Sequence, residues 1–465
     1  MVEVKCPRLI IGAPSSGSGK SIIASGIMAW LSQKKEVQGF KVGPDYIDPM
    51  YHHQATGRAG RNLDSWMLSP SSVKKIFIRA AQKVEISIIE GVMGLFDGSP
   101  EISSIAKGLY AGSTAEIAFL LKAPIVLIID AQKMAHSAAA VVHGFHTLQP
   151  NIKISGVIFN RVNSARHAHL LNQAINSIGV PSLGCVPKLE SLHIPERHLG
   201  LFTAVERLAE VQSFLENASQ VVNEYIDMDT LIQIAYQAPP LNSDLSETEK
   251  INGLGINIAY AHDEAFCFYY EDNLEELKEQ GANVISFSPV SDARLPEDIH
   301  GIYFGGGYPE LYSEKISSNQ LMLKDIAHLI KYGLPVYAEC GGLMMLSQGM
   351  KNDDGDLYKF IGVLPGYTRL TKKLTMGYRK VSALQDSVFI RCGENYRGHE
   401  FHYSLWDGLN ESKAAYQIHP NYDLEKPSLE GYAEDNILAS YIHLHFSQAK
   451  EIAQRFVEIC IKNRG

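Results

Sequence analysis

Cys340 lies in the segment VYAECGGLMML, where an apolar run typical of a β-strand meets a run typical of a helix. A nucleophile at such a turn is held beside backbone donors, and the positive end of the helix favours the thiolate. The earlier segment IYFGGGYPE supplies Gly306 and Gly307, whose backbone N–H groups, with that of Gly341, can hold an oxyanion. His443, in the later segment ASYIHLHF, can serve as the general base. A lone cysteine is usually a core residue, so the prediction of a nucleophile depends on the order of these segments.

A second candidate site begins near the N-terminus, in the segment APSSGSGKS. It follows a strand candidate at 8–13 and precedes a helix candidate at 20–33, which is where a glycine-rich loop surrounds phosphate oxygens with backbone N–H groups. The strict phosphate-loop pattern fails at one place, because Pro14 stands where its first glycine is expected. The predicted nucleotide-binding residues are Ser16, Gly17, Ser18, Gly19, Lys20 and Ser21.

Two acidic segments follow later strand candidates. KVGPDYIDP offers Asp45 and Asp48, and EGVMGLFDG offers Glu90 and Asp97. Carboxylates at the carboxyl ends of parallel strands converge on one crevice, so we predict Mg²⁺ ligands at Asp45 and Glu90, together with the Ser21 hydroxyl. Asp48 and Asp97 are predicted to orient the acceptor or ammonia. The alternative is that these aspartates only form turns beside Pro and Gly.

The elements that must position these residues follow one pattern. Short β-branched runs alternate with helical patterns, first through about residue 220 and again after residue 252, which indicates mostly parallel sheets covered by helices. We predict an α/β fold with two doubly wound domains, at 1–238 and 253–465, joined by a polar linker at 239–252. The strand candidates in the first domain are 8–13, 39–42, 86–90, 125–130, 154–160 and 182–186.

The composition restricts the functional class. The chain has 465 residues, 45% of them hydrophobic, and a net charge of −9, which argues against a general binder of nucleic acid. Six scattered cysteines without metal-site spacing indicate a reducing compartment. Neither a signal peptide nor a membrane-spanning run is predicted, so we expect a cytoplasmic protein.

The motifs also carry a family resemblance. APSSGSGKS, KVGPDYIDP, EGVMGLFDG, FGGGYPE, YAECGGLMML, GHEFHYS and SYIHLHF occur in that order over residues 13–446. The set resembles the cobyrinic acid a,c-diamide synthases, whose N-terminal half is similar to dethiobiotin synthetase and whose C-terminal half is similar to class I glutamine amidotransferases. That class commonly has His-x-Glu, whereas this chain has His443-Leu444-His445. The Tyr-x-His unit shared by this branch favours His443 over His445 as the base.

The resemblance implies a reaction in two halves. Cys340 and His443 would release ammonia from glutamine, and ATP with Mg²⁺ would phosphorylate a tetrapyrrole carboxylate that ammonia then converts to an amide. Such a polycarboxylate substrate needs cationic contacts, for which Lys41, Arg161, Arg197 and His198 are candidates; each is equally a candidate surface or structural residue. GHEFHYS has no assigned chemistry, and a homodimer is a further expectation.

Two alternatives stay open from the sequence. The same chemistry could act on hydrogenobyrinic acid or nickel-sirohydrochlorin, because no residue identifies the metal of the macrocycle. In a different class, the chain would be a phosphate-loop regulatory ATPase with a non-catalytic second domain, which fits the deviant loop and the missing Glu after His443.

Overall fold

The computed structural model describes residues 2–189, 196–197, 200–201, 203–243, 253–352, 355–420 and 426–464. The chain forms two compact units, Met1–Ser246 and Glu247–Gly465. The division falls inside the predicted linker at 239–252. Within that linker, Leu241–Ser243 is a strand paired antiparallel with Val2–Val4, so these residues belong to the first unit.

The first unit is built on a seven-stranded sheet in which every neighbouring pair is parallel. Its central strands are mostly apolar and almost entirely buried, as expected for a parallel sheet covered on both faces. The prediction of this sheet is confirmed, including all six strand candidates. In spatial order the strands are Arg61–Leu63, Val37–Val42, Ile86–Glu90, Arg8–Gly12, Ile125–Asp130, Ile154–Val162 and Ser182–Pro187.

Eight helices are described in the first unit. Several begin at a serine that accepts a backbone N–H, as Ser69 does from Ser72, which satisfies a donor of the first turn. Gly26 brings two helices close together, because a Cβ at this position would lie 2.9 Å from the carbonyl oxygen of Ala218. The helices are Lys20–Ser32, Ile47–Thr56, Pro70–Ala81, Thr114–Leu121, Ser137–Thr147, Ala165–Asn176, Leu208–Tyr225 and Met228–Tyr236. The short strands Glu196–Arg197 and Gly200–Leu201 pair with each other.

The second unit contains a six-stranded sheet that is parallel except at one edge. In spatial order its strands are Ala282–Phe287, Ile256–Ala261, Gly301–Phe304, Val336–Glu339, Ile437–Ser440 and Tyr432–Glu434. The helices are Glu271–Glu279, Ser313–Ser318, Gln320–Lys331, Gly341–Leu346 and Lys450–Lys462. This part agrees with the predicted doubly wound pattern.

A second, largely antiparallel sheet lies in the same unit and is absent from the sequence prediction. Its centre is the long pair Thr368–Ala383 and Asn395–Trp406, and Asn395–Trp406 also pairs with His443–Leu444. These long strands carry many polar residues and are half-buried, so their pattern lacks the continuous apolar runs on which the prediction depended. The other strands are Gly349–Lys351, Leu357–Lys359, Tyr416–His419 and Ser428–Glu430. Phe266–Phe268 pairs separately with Gly306–Gly307.

A helix must be about 20 residues long and mostly apolar to cross a bilayer. Within the described part of the chain, none is long and apolar enough to span a membrane.

Candidate active sites

The predicted phosphate loop is shaped by two glycines. Gly17 and Gly19 have φ angles of 76° and 93°, which glycine adopts without steric cost. A Cβ on Gly19 would lie 2.2 Å from Nδ2 of Asn160. Asn160 Nδ2 donates to the Ser18 carbonyl at 3.0 Å, and Arg161 Nη1 donates to the Gly17 carbonyl at 2.9 Å. The path of the loop is therefore fixed by two residues of the strand Ile154–Val162, and Gly19 cannot be replaced without moving Asn160.

Lys20 is buried and folds over the same loop. Its Nζ donates to the carbonyls of Met93 at 2.6 Å and Ser15 at 3.1 Å. Burial, and then the nearby charge of Lys41, lower the pKa of Lys20 to about 8. The ammonium is thus held at the loop by backbone carbonyls, in a position from which it can meet phosphate oxygens.

Glu90 is the centre of the acidic cluster. Its side chain is fully buried, and its Oε1 accepts from Ser21 Oγ at 2.6 Å and from Lys41 Nζ at 2.7 Å. Its Oε2 lies 2.8 Å from Nε2 of His52. Burial alone would raise the pKa of this carboxyl, but Lys41 and His52 hold it well below its usual range. Glu90 is therefore a permanently charged carboxylate next to the phosphate loop.

The three aspartates occupy different environments around this centre. Asp48 is buried and paired with Lys41, and burial, followed by the charge of Glu90, raises the pKa of Asp48 well above its usual value. Asp45 Oδ1 accepts the backbone N–H of Ile47 at 2.7 Å, at the start of its helix. Asp97 is exposed, and its Oδ2 accepts the N–H of Gly94 at 2.9 Å. The structure joins Asp48 directly to the Glu90 cluster, whereas Asp45 and Asp97 hold turns beside it.

The residues present fit a magnesium ion. The Ser21 hydroxyl and the Glu90 carboxylate, 2.6 Å apart, are the hard oxygen donors that Mg²⁺ prefers. No cluster of three His, Cys, Asp or Glu side chains with the character of a metal site occurs among the described residues. A nucleotide-bound Mg²⁺ does not need one, because it is held by one or two protein oxygens together with phosphates and water.

The four candidate substrate cations lie in different places. Lys41 is buried between Asp48 and Glu90, and Arg161 binds the loop carbonyl of Gly17 and Asp130 Oδ2 at 2.6 Å. These contacts favour roles inside the nucleotide site over the substrate contacts that the sequence suggested. His198 lies outside the described residues, and Arg197 is described only through its backbone in a short strand.

In the second unit Cys340 occupies a strained elbow. It follows the strand Val336–Glu339 and has φ 48° and ψ −104°, a conformation that costs a non-glycine residue of the order of 1–3 kcal/mol. The next two residues must be glycine, because a Cβ on Gly341 would lie 2.9 Å from Pro309 Cδ and one on Gly342 would lie 2.5 Å from Phe304 O. The predicted strand, turn and helix around Cys340 are therefore present.

The predicted oxyanion loop adjoins this elbow. A Cβ on Gly341 would lie 3.2 Å from the backbone nitrogen of Gly307, so the two segments meet. Gly307 has φ 153°, and a Cβ on it would lie 2.0 Å from the carbonyl oxygen of Ala265. Gly305 N–H already donates to Tyr269 Oη at 2.7 Å. The structure thus brings Gly306, Gly307 and Gly341 together, as an oxyanion hole requires.

His443 lies on the other side of the glycine loop. A Cβ on Gly306 would lie 2.6 Å from Cε1 and 3.4 Å from Nε2 of His443, so this edge of the ring faces the loop. The ring stacks on His399 at 4.9 Å, and Nδ1 lies 3.8 Å from Oε2 of Glu339. His445 instead stacks on Tyr270 at 4.8 Å. Of the two histidines, His443 has a ring edge that faces the glycine loop, and its role as the base stays a prediction.

The segment GHEFHYS, to which the sequence assigned no chemistry, covers this site. The thiol of Cys340 donates to the Phe401 carbonyl at 3.8 Å, and His399 of the same strand faces His443. Burial, followed by the charge of Glu310, raises the pKa of Cys340 above its usual value, against the thiolate expected from the helix end. The thiol therefore needs a base when it reacts.

A cavity of about 470 Å³ lies beside this strand. Charged and aromatic side chains line it, among them Arg379, Glu400, His402, Trp406 and Tyr441. Arg379 Nε donates to Glu400 Oε2 at 2.7 Å. The cavity thus presents both cationic and anionic side chains along the strand Asn395–Trp406.

Comparison with known proteins identifies the family to which the two units belong. Residues 9–202 match the CobQ/CobB/MinD/ParA nucleotide binding domain, and residues 257–451 match the CobB/CobQ-like glutamine amidotransferase domain. The chain is 41% identical over 458 residues to the cobyrinate a,c-diamide synthase of Picrophilus torridus, with 98% of this chain and 99% of that protein covered. The chain belongs to the cobyrinate a,c-diamide synthase family.

Other relatives in this family are equally complete. The cobyrinate a,c-diamide synthase of Archaeoglobus fulgidus is 37% identical over 468 residues, with 100% of both chains covered. The hydrogenobyrinate a,c-diamide synthase of Streptomyces coelicolor is 38% identical over 491 residues, covering 98% of this chain and 97% of that protein. The predicted family, two-domain α/β fold and glutamine amidotransferase class of ligase are confirmed. The alternative of a regulatory ATPase with a non-catalytic second domain is not supported by the match over 257–451.

Some residues of these sites are missing from the predicted set. His52 binds Glu90, and its signal was its position four residues after Asp48 on one helix, which places both on one face. Asn160 holds the phosphate loop from a distant strand, for which the sequence offers no local signal. Glu339 had a signal, since a glutamate inside an apolar strand is rarely buried without a partner.

Proposed function

We propose that this protein catalyses the ATP- and glutamine-dependent amidation of the a and c acetate carboxylates of cobyrinic acid. The observation that carries the proposal is the presence, in one chain, of the Cys340 elbow beside a glycine loop and of a phosphate loop beside Glu90. Full-length relatives bearing the name cobyrinate a,c-diamide synthase support the choice of substrate.

In the glutaminase half, Cys340 Sγ attacks the carboxamide carbon of glutamine. Because burial raises the pKa of the thiol, His443 must take its proton during the attack. The backbone N–H groups of Gly306, Gly307 and Gly341 hold the oxyanion, and each such donor is worth about 3 kcal/mol of barrier. His443 returns the proton to the leaving ammonia, and water then hydrolyses the thioester to glutamate.

The cavity beside Cys340 supports glutamine as the occupant. The α-carboxylate and α-ammonium groups of a free amino acid need one cationic and one anionic partner. Arg379 and Glu400 line the cavity and supply one of each. Glu400 is adjacent in sequence to Phe401, whose backbone carbonyl accepts from the Cys340 thiol, so we propose that a glutamine bound in this cavity reaches the nucleophile.

In the synthase half, a substrate carboxylate oxygen attacks the γ-phosphorus of ATP, ADP leaves, and an acyl phosphate forms. Ammonia attacks the acyl carbon, and inorganic phosphate leaves with formation of the amide. Backbone groups of Ser16–Gly19 and the Lys20 ammonium hold the phosphates. Asp48, whose pKa is raised, and Asp97 are proposed to orient the acceptor or ammonia.

Mg²⁺ bound to the nucleotide would neutralise phosphate charge, with Ser21, Glu90 and Asp45 as its proposed protein ligands. In this structure Glu90 accepts the Ser21 hydroxyl directly, which places both oxygens where one cation can meet them. Lys41 stabilises the same carboxylate oxygen.

The test uses purified protein with ATP, Mg²⁺ and glutamine, and offers each tetrapyrrole in turn. We expect two successive mass changes of one amidation each on cobyrinic acid. Turnover confined to hydrogenobyrinic acid or to nickel-sirohydrochlorin would replace cobyrinic acid as the proposed substrate. Hydrogenobyrinate is the compound in the name of the Streptomyces coelicolor relative. A cytoplasmic location and a homodimer stay predictions from the sequence.

A further inference from the structure

Two residues after the base of the glutaminase half, this chain does not have the glutamate that its class commonly has. The residue two positions after His443 is His445, whose ring stacks on Tyr270 and whose Nδ1 accepts the Ser447 N–H at 3.3 Å. A general-base histidine needs its second ring nitrogen held, because this fixes the tautomer and the orientation of the ring. Another residue must therefore meet the Nδ1 side of His443.

Glu339 is the carboxylate on that side. It is the last residue of the strand that leads into Cys340, it is only 1% exposed, and its Oε2 lies 3.8 Å from Nδ1 of His443. The opposite edge of the ring, with Cε1 and Nε2, faces the glycine loop at Gly306. Glu339 and the reacting centre therefore lie on different sides of the imidazole.

Neutral donors hold the Glu339 carboxylate in place. Oε1 accepts from Tyr337 Oη at 2.8 Å and from the backbone N–H of Leu444 at 2.9 Å, while Oε2 accepts from Tyr303 Oη at 3.0 Å. The Leu444 bond ties the carboxylate to the residue next to His443, so the position of one fixes the other. Buried carboxylates are stable only with such bonds.

The anchoring extends to a second backbone contact. Asn273 Nδ2 donates to the Leu444 carbonyl at 2.9 Å and to Tyr303 Oη at 3.3 Å. Its Oδ1 accepts the N–H of Phe446 at 2.7 Å. The segment that carries His443 is thus held at both polar groups of Leu444, once by the Glu339 carboxylate and once by a neighbour of Tyr303.

We propose that Glu339 is the positioning residue of the glutaminase, which holds Nδ1–H of His443 so that Nε2 accepts the Cys340 proton. This inference rests on the proposed roles of Cys340 and His443. As the thiol proton moves to Nε2, the ring becomes an imidazolium, and Glu339 stabilises that charge at ion-pair distance. The carboxylate acts through His443 and does not itself take the proton.

The alternative role of Glu339 is a core acceptor for Tyr303, Tyr337 and the Leu444 N–H. Glu339→Gln tests the difference, because the amide is nearly isosteric and keeps an oxygen acceptor while losing the charge. We expect kcat for glutamine hydrolysis to fall at least ~100-fold, by analogy with the removal of the orienting carboxylate from a catalytic triad. KM for glutamine should change less than about twofold, because Glu339 does not contact the substrate.

Two controls accompany this variant. Synthesis with ammonium chloride in place of glutamine should be unchanged, and Tyr337→Phe, which removes one of the two donors to Oε1 and leaves the charge of Glu339, should lower kcat less than Glu339→Gln does. Glu339→Asp keeps the charge but shortens the side chain, and should lose about tenfold in kcat. Wild-type kcat in both Glu339 variants would overturn the proposal.

A loss of cooperative melting together with ammonia-dependent synthesis in Glu339→Gln would assign the residue to the core and also overturn it. The proposed function is tested separately with Cys340→Ser. If that variant still hydrolyses glutamine, the roles of Cys340 and His443 are wrong. If Cys340→Ser is inactive while Glu339→Gln is not, only the role of Glu339 is wrong.

Discussion

Each of the two units contains a buried parallel strand whose last residue is a glutamate. The two glutamates are stabilised by different partners. Glu90 ends the strand Ile86–Glu90 and is neutralised by Lys41, with Ser21 and His52 as further partners. Glu339 ends the strand Val336–Glu339 and accepts only neutral N–H and O–H donors, with His443 at 3.8 Å.

The difference is that the charge of Glu90 is compensated by a cation in the resting protein, whereas the charge of Glu339 is proposed to be compensated by a cation only during turnover. Lys41 compensates Glu90 at all times, which suits a carboxylate that anchors a phosphate loop and a cation-bearing nucleotide. The charge of Glu339 has no permanent cationic partner among the hydrogen bonds described, so it can stabilise an imidazolium that exists only during turnover. A charge compensated in advance contributes less to a transition state than one completed there.

The largest effect should come from removing the nucleophile that Glu339 serves. In Cys340→Ser we expect glutamine-dependent synthesis to fall by about 10³-fold or more, because a serine hydroxyl at this position is a much weaker nucleophile than the thiol. Ammonia-dependent synthesis should persist. Both rates are measured on the same preparation by following amide formation.

The Cys340→Ser experiment also tests whether glutamine hydrolysis and amide synthesis take place at separate sites. Equal loss of the ammonia-dependent rate in Cys340→Ser would contradict the assignment of synthesis to the first unit. The conservative control is Cys267→Ser, since Cys267 is another buried cysteine of the second unit and has no proposed chemical role.

Glu90→Gln should sharpen the contrast between the two glutamates. The substitution leaves the buried Lys41 with a reduced counter-charge, and breaking a buried ion pair typically costs about 3–5 kcal/mol. We expect a lowered melting temperature and loss of synthesis with either nitrogen donor, while glutamine hydrolysis at Cys340 continues. Thermal denaturation and the two assays check this together. A Glu90→Gln protein as stable as Glu339→Gln would contradict the proposed difference between them.

Nucleotide affinity should depend on pH through Lys20. Burial lowers the pKa of this lysine to about 8, so the ammonium is progressively lost as pH rises above that value. We expect the Kd for ATP to rise by up to about 25-fold between pH 7.5 and 9.5. Lys20→Arg should flatten this dependence, because arginine stays charged. Calorimetric titration at fixed ionic strength measures it, and a Kd independent of pH in the wild-type protein would show that the charge of Lys20 does not control ATP binding.

The sequence predicted the first unit more fully than the second, for a physical reason. Its parallel strands are mostly apolar runs; Glu90 is the last residue of one of them, and Lys20 begins the helix after the loop that follows another. In the second unit the covering strand Asn395–Trp406 alternates polar and apolar residues, and its contacts with Cys340 and His443 join residues about 40 to 60 positions apart. Long-range pairing of this kind leaves no local signal.

The sequence predicts a base without the Glu two residues later that the class commonly has, because His445 stands at that position. The sequence pattern of the class places the triad partner after the histidine and therefore does not point to Glu339. In this fold the strand of the nucleophile runs next to the strand before the histidine, with Glu339 paired to Ser440, so a residue beside Cys340 can meet His443. Only the register of the sheet shows this.

A carboxylate at the surface is expected to show the smallest effect on stability. Glu394 forms two contacts with Arg455, at 2.6 and 2.7 Å, and Arg455, with Tyr396, lowers its pKa to about 2 although it is partly exposed. Because the folded pKa lies below the ordinary value near 4.5, the stabilisation is present above pH 4.5 and is lost as pH falls toward 2. Solvent screening limits the pair to about 1 kcal/mol or less.

We therefore expect Glu394→Gln to lower the free energy of unfolding at pH 7 by less than about 1 kcal/mol. The variant should also show a flatter decline in stability between pH 4.5 and 2. Arg455→Lys, which keeps the charge but loses the planar two-point contact, should lie between wild type and Glu394→Gln. Denaturant titrations at several pH values measure all three proteins. A loss of unfolding free energy as large as that of Glu90→Gln would mean that burial does not make an ion pair more important for stability in this chain. The contrast between Glu90 and Glu339 would then need a cause other than the presence or absence of a cationic partner.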